Sequence, residues 1–143
     1  MAARAGILID TVLAWDNDPL IVAAYKQMHV EVAEVLCCEL DAPEVVARLA
    51  ADPPDLVTMT VPCGDYTTEG LGVEGPAAAC TVREAQVVCE AQLPLALFEN
   101  VVQMLSKDKY RKACEMLHAR SYDMYECRIR GTDFGMACSR RRV

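Results

Sequence analysis

The stretch DLVTMTVPCGDYTTEG, residues 55–70, indicates the fold class of the chain. Its first seven residues are rich in β-branched side chains and follow two prolines, which predicts a strand over 55–61. The run ends at Pro62 and Cys63 and enters a loop of small and polar residues. Because proline fixes φ, we expect the loop to be stiff where it carries the thiol. A strand that leads into such a loop is typical of α/β proteins, which place their chemistry at strand ends.

Segments with strand and helix patterns alternate along the remainder of the chain. The predicted strands cover 11–15, 30–37, 55–61, 93–98 and 122–129, and the predicted helices cover 18–28, 41–51, 77–92 and 106–121. Asp18 is expected to cap the first helix, with Pro19 in its first turn. Within a single domain of 143 residues, this alternation predicts an α/β fold with a mainly parallel sheet.

The carboxyl ends of parallel strands bind ligands in α/β proteins, and they select three candidate places: Asp16-Asn17, Pro62-Cys63 and Glu99-Asn100. A carboxylate such as Asp16 suits the two hydroxyls of a ribose, although it also suits a helix cap. Cys63 is a candidate nucleophile if a positive charge or a helix N-terminus favours its thiolate, and an inert thiol otherwise. Glu99 follows an apolar strand, which favours a neutral, proton-donating carboxyl, and it also suits a helix cap.

Composition disfavours several other classes of protein. The longest apolar runs have the length of strands, so no membrane span is expected, and the N-terminal segment lacks the pattern of a signal peptide. The eight cysteines include no Cys-x-x-Cys pair, and the two histidines have no partner at metal-ligand spacing, so no metal site is expected. Most of the cysteines lie in apolar runs, which predicts a reducing, intracellular location in the nucleus or cytoplasm.

Charge is distributed unevenly along the chain. Residues 1–100 carry 4 basic and 16 acidic side chains, whereas residues 101–143 carry 10 basic and 5 acidic ones. The acidic part argues against nonspecific binding of polyanions by the whole molecule. The basic part could meet phosphates locally, or it could form a solvated helix face and a charged tail.

Four segments, VLAWDNDPLIVAAYKQMH, DLVTMTVPCGDYT, LPLALFENV and GTDFGMACSRRRV, occur in an informative order and spacing. Together they resemble the cytosine-5 methyltransferase family. The second segment is similar to the family's catalytic strand and Pro-Cys loop, and the third to its strand ending in Glu-Asn-Val. The fourth is similar to its arginine segment, and the first to its acidic segment before a helix. The resemblance implies a Rossmann-like methyltransferase fold, with S-adenosylmethionine as cofactor and a cytosine in DNA as substrate.

The resemblance implies catalytic roles for four residues. Cys63 would add to C6 of the cytosine, and Glu99 would hold the N3 and N4 edge of the base and supply a proton. Arg142 would contact the ring oxygen O2, with Arg140 nearby.

The resemblance also implies two sets of binding residues. The cofactor would be bound by Asp16, Asn17, Glu39, Leu40 and Pro62. Of these, Asp16 would contact the ribose, and Asn17 and Glu39 would contact the adenine. The nucleic acid would be contacted by Thr67, Asn100 and Arg142.

The chain departs from the family pattern at both substrate-binding ends. No glycine-rich first motif precedes Asp16, and no target-recognition segment follows the arginine motif, so residues 1–143 are expected to form a partial catalytic domain. A second polypeptide would then supply the missing motifs. A tRNA cytosine-5 methyltransferase, which Thr67 favours, and an inactive nucleic-acid-binding remnant are alternatives. A cysteine-rich redox or metal module, suggested by the Cys37-Cys38 pair, is a more remote one.

Overall fold

The structure is a computed structural model that describes residues 10–67, 74–135 and 141–143. The chain divides into two compact units, Met1–Ala42 and Pro43–Val143. The first unit is a β-α-β arrangement in which β1 spans Leu13–Asp16, α1 spans Pro19–Met28 and β2 spans Glu34–Cys37. The two strands pair in parallel with Asp16 opposite Cys37, so their carboxyl ends lie side by side. Parallel strands need a crossover connection, which α1 provides.

Helix α1 begins where the sequence predicts. Asp18 has an extended backbone, and its Oδ1 accepts a hydrogen bond from the N–H of Leu20 at 2.8 Å. Pro19 follows in the first turn, where the helix needs no backbone donor. The helix ends at Met28, so the predicted helix over 18–28 and its cap are both confirmed.

The second unit contains the remaining elements. In chain order they are α2 (Pro43–Ala51), β3 (Val57–Met59), α3 (Pro76–Ala91), β4 (Ala96–Phe98), a 3-10 helix (Val102–Ser106), α4 (Asp108–Ala119), β5 (Ile129–Arg130), a second 3-10 helix (Gly131–Phe134) and β6 (Arg141–Arg142). Strands β3 and β4 pair in parallel, with Met59 opposite Phe98. Strands β5 and β6 pair in the antiparallel direction.

The core of the second unit forms around α3. Its largest fully buried side chains are Leu49, Leu93, Val45, Val87 and Val88. Complete burial of one such side chain stabilises the fold by about 1.5–3 kcal/mol. Helix α3 ends at Ala91, because Gln92 adopts the left-handed conformation with φ of 52°. Within the described ranges, no helix has both the length and the apolar character needed to cross a bilayer.

The predicted α/β alternation is confirmed, whereas the last predicted strand is largely wrong. Of the strand predicted over 122–129, only Ile129 lies in a strand. Side-chain hydrogen bonds hold the preceding segment instead: the hydroxyl of Tyr122 donates to the carbonyl of Leu93 at 2.8 Å, and the hydroxyl of Tyr110 donates to Glu126 at 2.7 Å. The side chains of residues 122–125 are half-buried and exposed in turn, which explains the alternating sequence pattern. Such alternation does not require a paired strand.

Candidate active site

Cys63 lies in a tight turn just beyond the carboxyl end of β3. Its carbonyl accepts hydrogen bonds from the N–H groups of Tyr66 at 2.9 Å and of Thr67 at 3.2 Å. The thiol-bearing side chain is half-buried and packs against a cluster formed by Tyr66, Ala78, Val101 and Met104. The turn is therefore ordered by its own backbone and by one apolar contact surface.

Pro62 and Gly64, the chain neighbours of Cys63, are exposed, whereas Cys63 itself is half-buried. Pro62 is exposed, and it belongs to the second unit rather than to the β-α-β unit that holds the other predicted cofactor residues. A side-chain carbon added at Gly64 would meet no atom of the described residues within 4 Å, so a larger side chain would find space there.

Glu99 follows β4 directly, and its N–H donates to the carbonyl of Met59 at the end of β3 at 3.1 Å. Its carboxylate forms an ion pair with Nε of Arg142 on β6. The side chain of Glu99 is 43% exposed and that of Arg142 is 16% exposed. The apolar surroundings expected for Glu99 from the preceding strand are therefore replaced by a guanidinium partner.

Asn100 joins the three chain segments that carry the predicted catalytic residues. It is 3% exposed, and its backbone exchanges two hydrogen bonds with Val143, of 2.9 and 3.0 Å. Its side-chain Nδ2 donates to the carbonyl of Val61 at 3.3 Å, and its Oδ1 accepts from the N–H of Val101 at 2.8 Å. Asn100 thus connects the strand end before Cys63 through its side chain and the terminal Arg142 segment through its backbone.

The structure therefore links three of the four predicted catalytic residues, two by direct contact and the third through a shared apolar cluster. Glu99 and Arg142 are in direct contact, and Cys63 packs against the same apolar cluster as Val143, the neighbour of Arg142. Arg140 lies outside the described residues. Thr67 is in the Cys63 turn, where its hydroxyl donates to the carbonyl of Gly64 at 3.3 Å.

The predicted cofactor residues of the first unit lie at the paired ends of β1 and β2. The Nδ2 of Asn17 donates to Oε1 of Glu39 at 3.2 Å, and the Oδ1 of Asp16 accepts from the N–H of Asp18 at 2.8 Å. The side chains of Asp16, Asn17 and Glu39 are exposed, and Leu40 is half-buried. Two carboxylates and an amide at one edge can accept hydrogen bonds from hydroxyl and amino groups of a ligand.

Sequence reasoning missed three residues of the second unit. Asp65 and Tyr66 bind the start of α3, and Glu84 is a buried carboxyl within α3. A cap supplied from ten residues upstream has no local sequence signature, so Asp65 could not be found by pattern. Glu84 had a weak signal, because the residues three and four positions later are Val87 and Val88 rather than basic partners.

Parallel strand pairs connected through helices, with polar side chains beyond the carboxyl ends of the strands, are features of Rossmann-like α/β folds. The family model described as C-5 cytosine-specific DNA methylase matches residues 2–143, and the chain belongs to this family. Among curated protein sequences, no significant match is found.

Solved structures show the same fold at low sequence identity. The S. pombe Dnmt2 methyltransferase is 19% identical with a TM-score of 0.70, and the match covers 99% of this chain and 42% of that one. An E. coli prophage protein described as a DNA modification methyltransferase is 19% identical with a TM-score of 0.72, covering 99% and 40%. The Entamoeba histolytica methyltransferase EhMeth is 16% identical with a TM-score of 0.67, covering 91% and 42%. The chain thus spans about two-fifths of the length of these structures.

Proposed function

We propose that this chain forms the cytosine-binding part of an enzyme that transfers a methyl group from S-adenosylmethionine to C5 of cytosine in DNA. The observation that carries the proposal is the Asn100 junction, which unites the segments of Cys63, Glu99 and Arg142. Membership of the C-5 cytosine-specific methylase family supports the reaction class.

The chemistry begins at Cys63, the nucleophile of the proposed reaction. C6 of cytosine is a poor electrophile, so addition of the thiolate needs stabilisation of the negative charge that develops on the ring. The new S–C6 bond makes C5 electron-rich, and C5 can then attack an electrophilic methyl group. A water molecule would then take the C5 proton, and the electron pair of that C–H bond would form the C5=C6 double bond as the S–C6 bond breaks and the Cys63 thiolate leaves. Return of the N3 proton to Glu99 would restore the neutral aromatic ring.

Glu99 and Arg142 would stabilise the ring during this addition. Glu99 would take up a proton from solvent when the base displaces it from its ion pair, contact N3 and the N4 amino group and pass the proton to N3, while the guanidinium of Arg142 would donate to O2. Their ion pair holds both groups in place before the substrate arrives, and preorganised charges of this kind need little rearrangement during the reaction. Arg140, by the family resemblance, would be a further catalytic residue that carries a positive charge.

The polar side chains at the ends of β1 and β2 fit S-adenosylmethionine, which supplies the electrophilic methyl group when bound. The carboxylate of Asp16 can accept from ribose hydroxyls, and Glu39 can accept from an adenine amino group. Asn17, hydrogen-bonded to Glu39, would lie against the adenine, with Leu40 as a further contact.

A cytosine within a duplex cannot present C6 to a thiol, so the base must be flipped out at a cost of a few kcal/mol. Thr67, Asn100 and Arg142 would contact the extruded nucleotide. Because the chain spans about two-fifths of the solved methyltransferases, we further propose that it is a partial catalytic domain. The remaining parts of such an enzyme, on the same or on a second polypeptide, would complete the cofactor pocket and contact the rest of the duplex.

The proposal is tested by covalent trapping with DNA that contains 5-fluorocytosine, in the presence of S-adenosylmethionine. Fluorine at C5 prevents loss of a proton, so the Cys63 adduct should persist and appear as a mass increase of the intact chain. Cys63→Ser should abolish the adduct, while Cys127→Ser, at an exposed cysteine outside the site, should leave it unchanged.

The same experiment with 5-fluorocytosine in RNA separates the two substrate classes. If an adduct forms with RNA and not with DNA, the substrate is RNA rather than DNA. If neither nucleic acid forms an adduct, even with the remaining segments of a related methyltransferase added in trans, the proposed reaction is wrong and the inactive nucleic-acid-binding remnant is favoured.

A further inference from the structure

Asp65, two residues after Cys63, binds the N-terminus of α3. Its Oδ2 accepts hydrogen bonds from the N–H of Gly75 at 3.0 Å and from the N–H of Ala78 at 2.7 Å. The cap residue Gly75 has no side chain that could accept a bond, and the first turn, Pro-Ala-Ala-Ala, contains no acidic group. Asp65 therefore satisfies backbone donors of a 16-residue helix and places a negative charge at its positive end.

Gly75 leaves space for this approach. A Cβ built at Gly75 would lie 3.3 Å from Oδ2 and 3.4 Å from Oδ1 of Asp65, closer than most real contacts of a Cβ atom. An alanine at this position would therefore require the carboxylate to shift by a few tenths of an ångström.

Tyr66 makes a second link between the Cys63 turn and α3. It is 3% exposed, and its hydroxyl lies 2.7 Å from Oγ1 of Thr81 and donates to the carbonyl of Ala78 at 3.2 Å. Burial raises the pKa of Tyr66, and the charges of Glu74 and Asp65 act in the same direction, so the hydroxyl keeps its proton.

The start of α3 is also fixed to the next helix. The Oε1 of Glu74 accepts a hydrogen bond from the N–H of Lys109 in the first turn of α4 at 3.1 Å. The point to which Asp65 is attached is therefore held by a neighbouring element, and a turn anchored there is fixed relative to the core.

We propose that Asp65 is a positioning residue that holds the Cys63 turn against α3 and so fixes the direction of the thiol. The inference rests on the proposed function for its catalytic consequence, since it assumes that the Cys63 thiol is the nucleophile. Asp65 acts through the turn whose N–H groups, from Tyr66 and Thr67, bind the Cys63 carbonyl. Without the anchor, the turn samples more conformations and the half-buried thiol becomes more accessible.

The test measures alkylation of Cys63 by iodoacetamide with peptide mass spectrometry, using the buried Cys89 of the same helix as an internal reference. Asp65→Ala should increase the rate at Cys63 about tenfold and leave Cys89 protected, given the usual effect of removing a capping carboxylate. Asp65→Asn keeps an acceptor oxygen and should restore a rate close to that of the unaltered chain. The matched control Asp18→Ala removes the cap of α1 in the other unit and should change neither cysteine.

Two results would overturn the anchor. An unchanged rate at Cys63 in Asp65→Ala would show that the carboxylate does not restrain the turn. A joint increase at Cys63 and Cys89 would show that Asp65 only stabilises α3. Alkylation needs no nucleic acid, so the two proposals can fail separately. Faster alkylation of Cys63 but not of Cys89 in Asp65→Ala, without any 5-fluorocytosine adduct, would reject only the proposed function. An adduct without this change in alkylation would reject only the anchor.

Discussion

Glu84 provides a direct test of the electrostatics of the second unit. It lies on the buried side of α3 with 3% of its surface exposed, and its Oε1 has no hydrogen-bond partner among the residues that the structure describes. Burial raises the pKa of Glu84 from 4.5 to about 8, because the ionised carboxylate loses its hydration. Replacing Glu84 by glutamine keeps the shape and removes the titration.

The sign and size of the effect follow from proton binding. Between pH 4.5 and pH 8, the folded state holds the Glu84 proton that the unfolded state has released, so the free energy of unfolding falls as the pH rises. The contribution of the Glu84 proton to the free energy of unfolding is fully present below pH 4.5 and is lost as the pH rises through about 8. Each pH unit within the window costs about 1.4 kcal/mol, so stability should fall by about 3–4 kcal/mol between pH 5 and pH 8.

Urea unfolding followed by circular dichroism, repeated across this pH range, measures the effect. The difference in unfolding free energy between Glu84→Gln and the unaltered chain should grow steadily toward pH 8 in favour of the variant. Other titrating groups occur in both proteins and cancel in the difference. Glu90→Gln, at an exposed position of α3 where Gln86 donates to the carboxylate at 2.8 Å, is the matched control and should show no such trend.

Parallel pH curves for Glu84→Gln and the unaltered chain would refute this reasoning. They would mean that the folded protein solvates or pairs the Glu84 carboxylate as well as water does. Any constant offset between the two parallel curves would then report only the packing of the two side chains.

Two further predictions concern the site residues. Asn100→Ala removes the hydrogen bonds to Val61 and Val101 and leaves buried groups unpaired, so the free energy of unfolding measured in urea should fall by about 1–3 kcal/mol. A fall of less than a few tenths of a kcal/mol would contradict the central position of this amide. Asp16→Ala removes the acceptor proposed for the ribose hydroxyls, so calorimetric titration with S-adenosylmethionine should show affinity lowered about tenfold or more. Equal affinity for the two proteins would remove Asp16 from the cofactor site.

The helices could be predicted closely because their signals are local. Asp18 and Pro19 mark the start of α1, and the predicted span 77–92 differs from α3 by one residue at each end. The first four strands were predicted in about the right places, but β3 and β4 each keep only three paired residues, and the strand predicted over 122–129 is largely absent. Pairing depends on what the partner strand offers, which the pattern of a single strand does not contain.

Sequence by itself determined the order of strands and helices, the family resemblance and the placing of polar residues at strand ends. Those features follow from short-range periodicity and from the rule that parallel strands share one carboxyl edge. Only the tertiary structure decided that Asn100 pairs with Val143, that Glu99 contacts Arg142, and that Asp65 caps α3. Each of these contacts joins residues ten or more positions apart, so it exists only when folding closes the intervening chain.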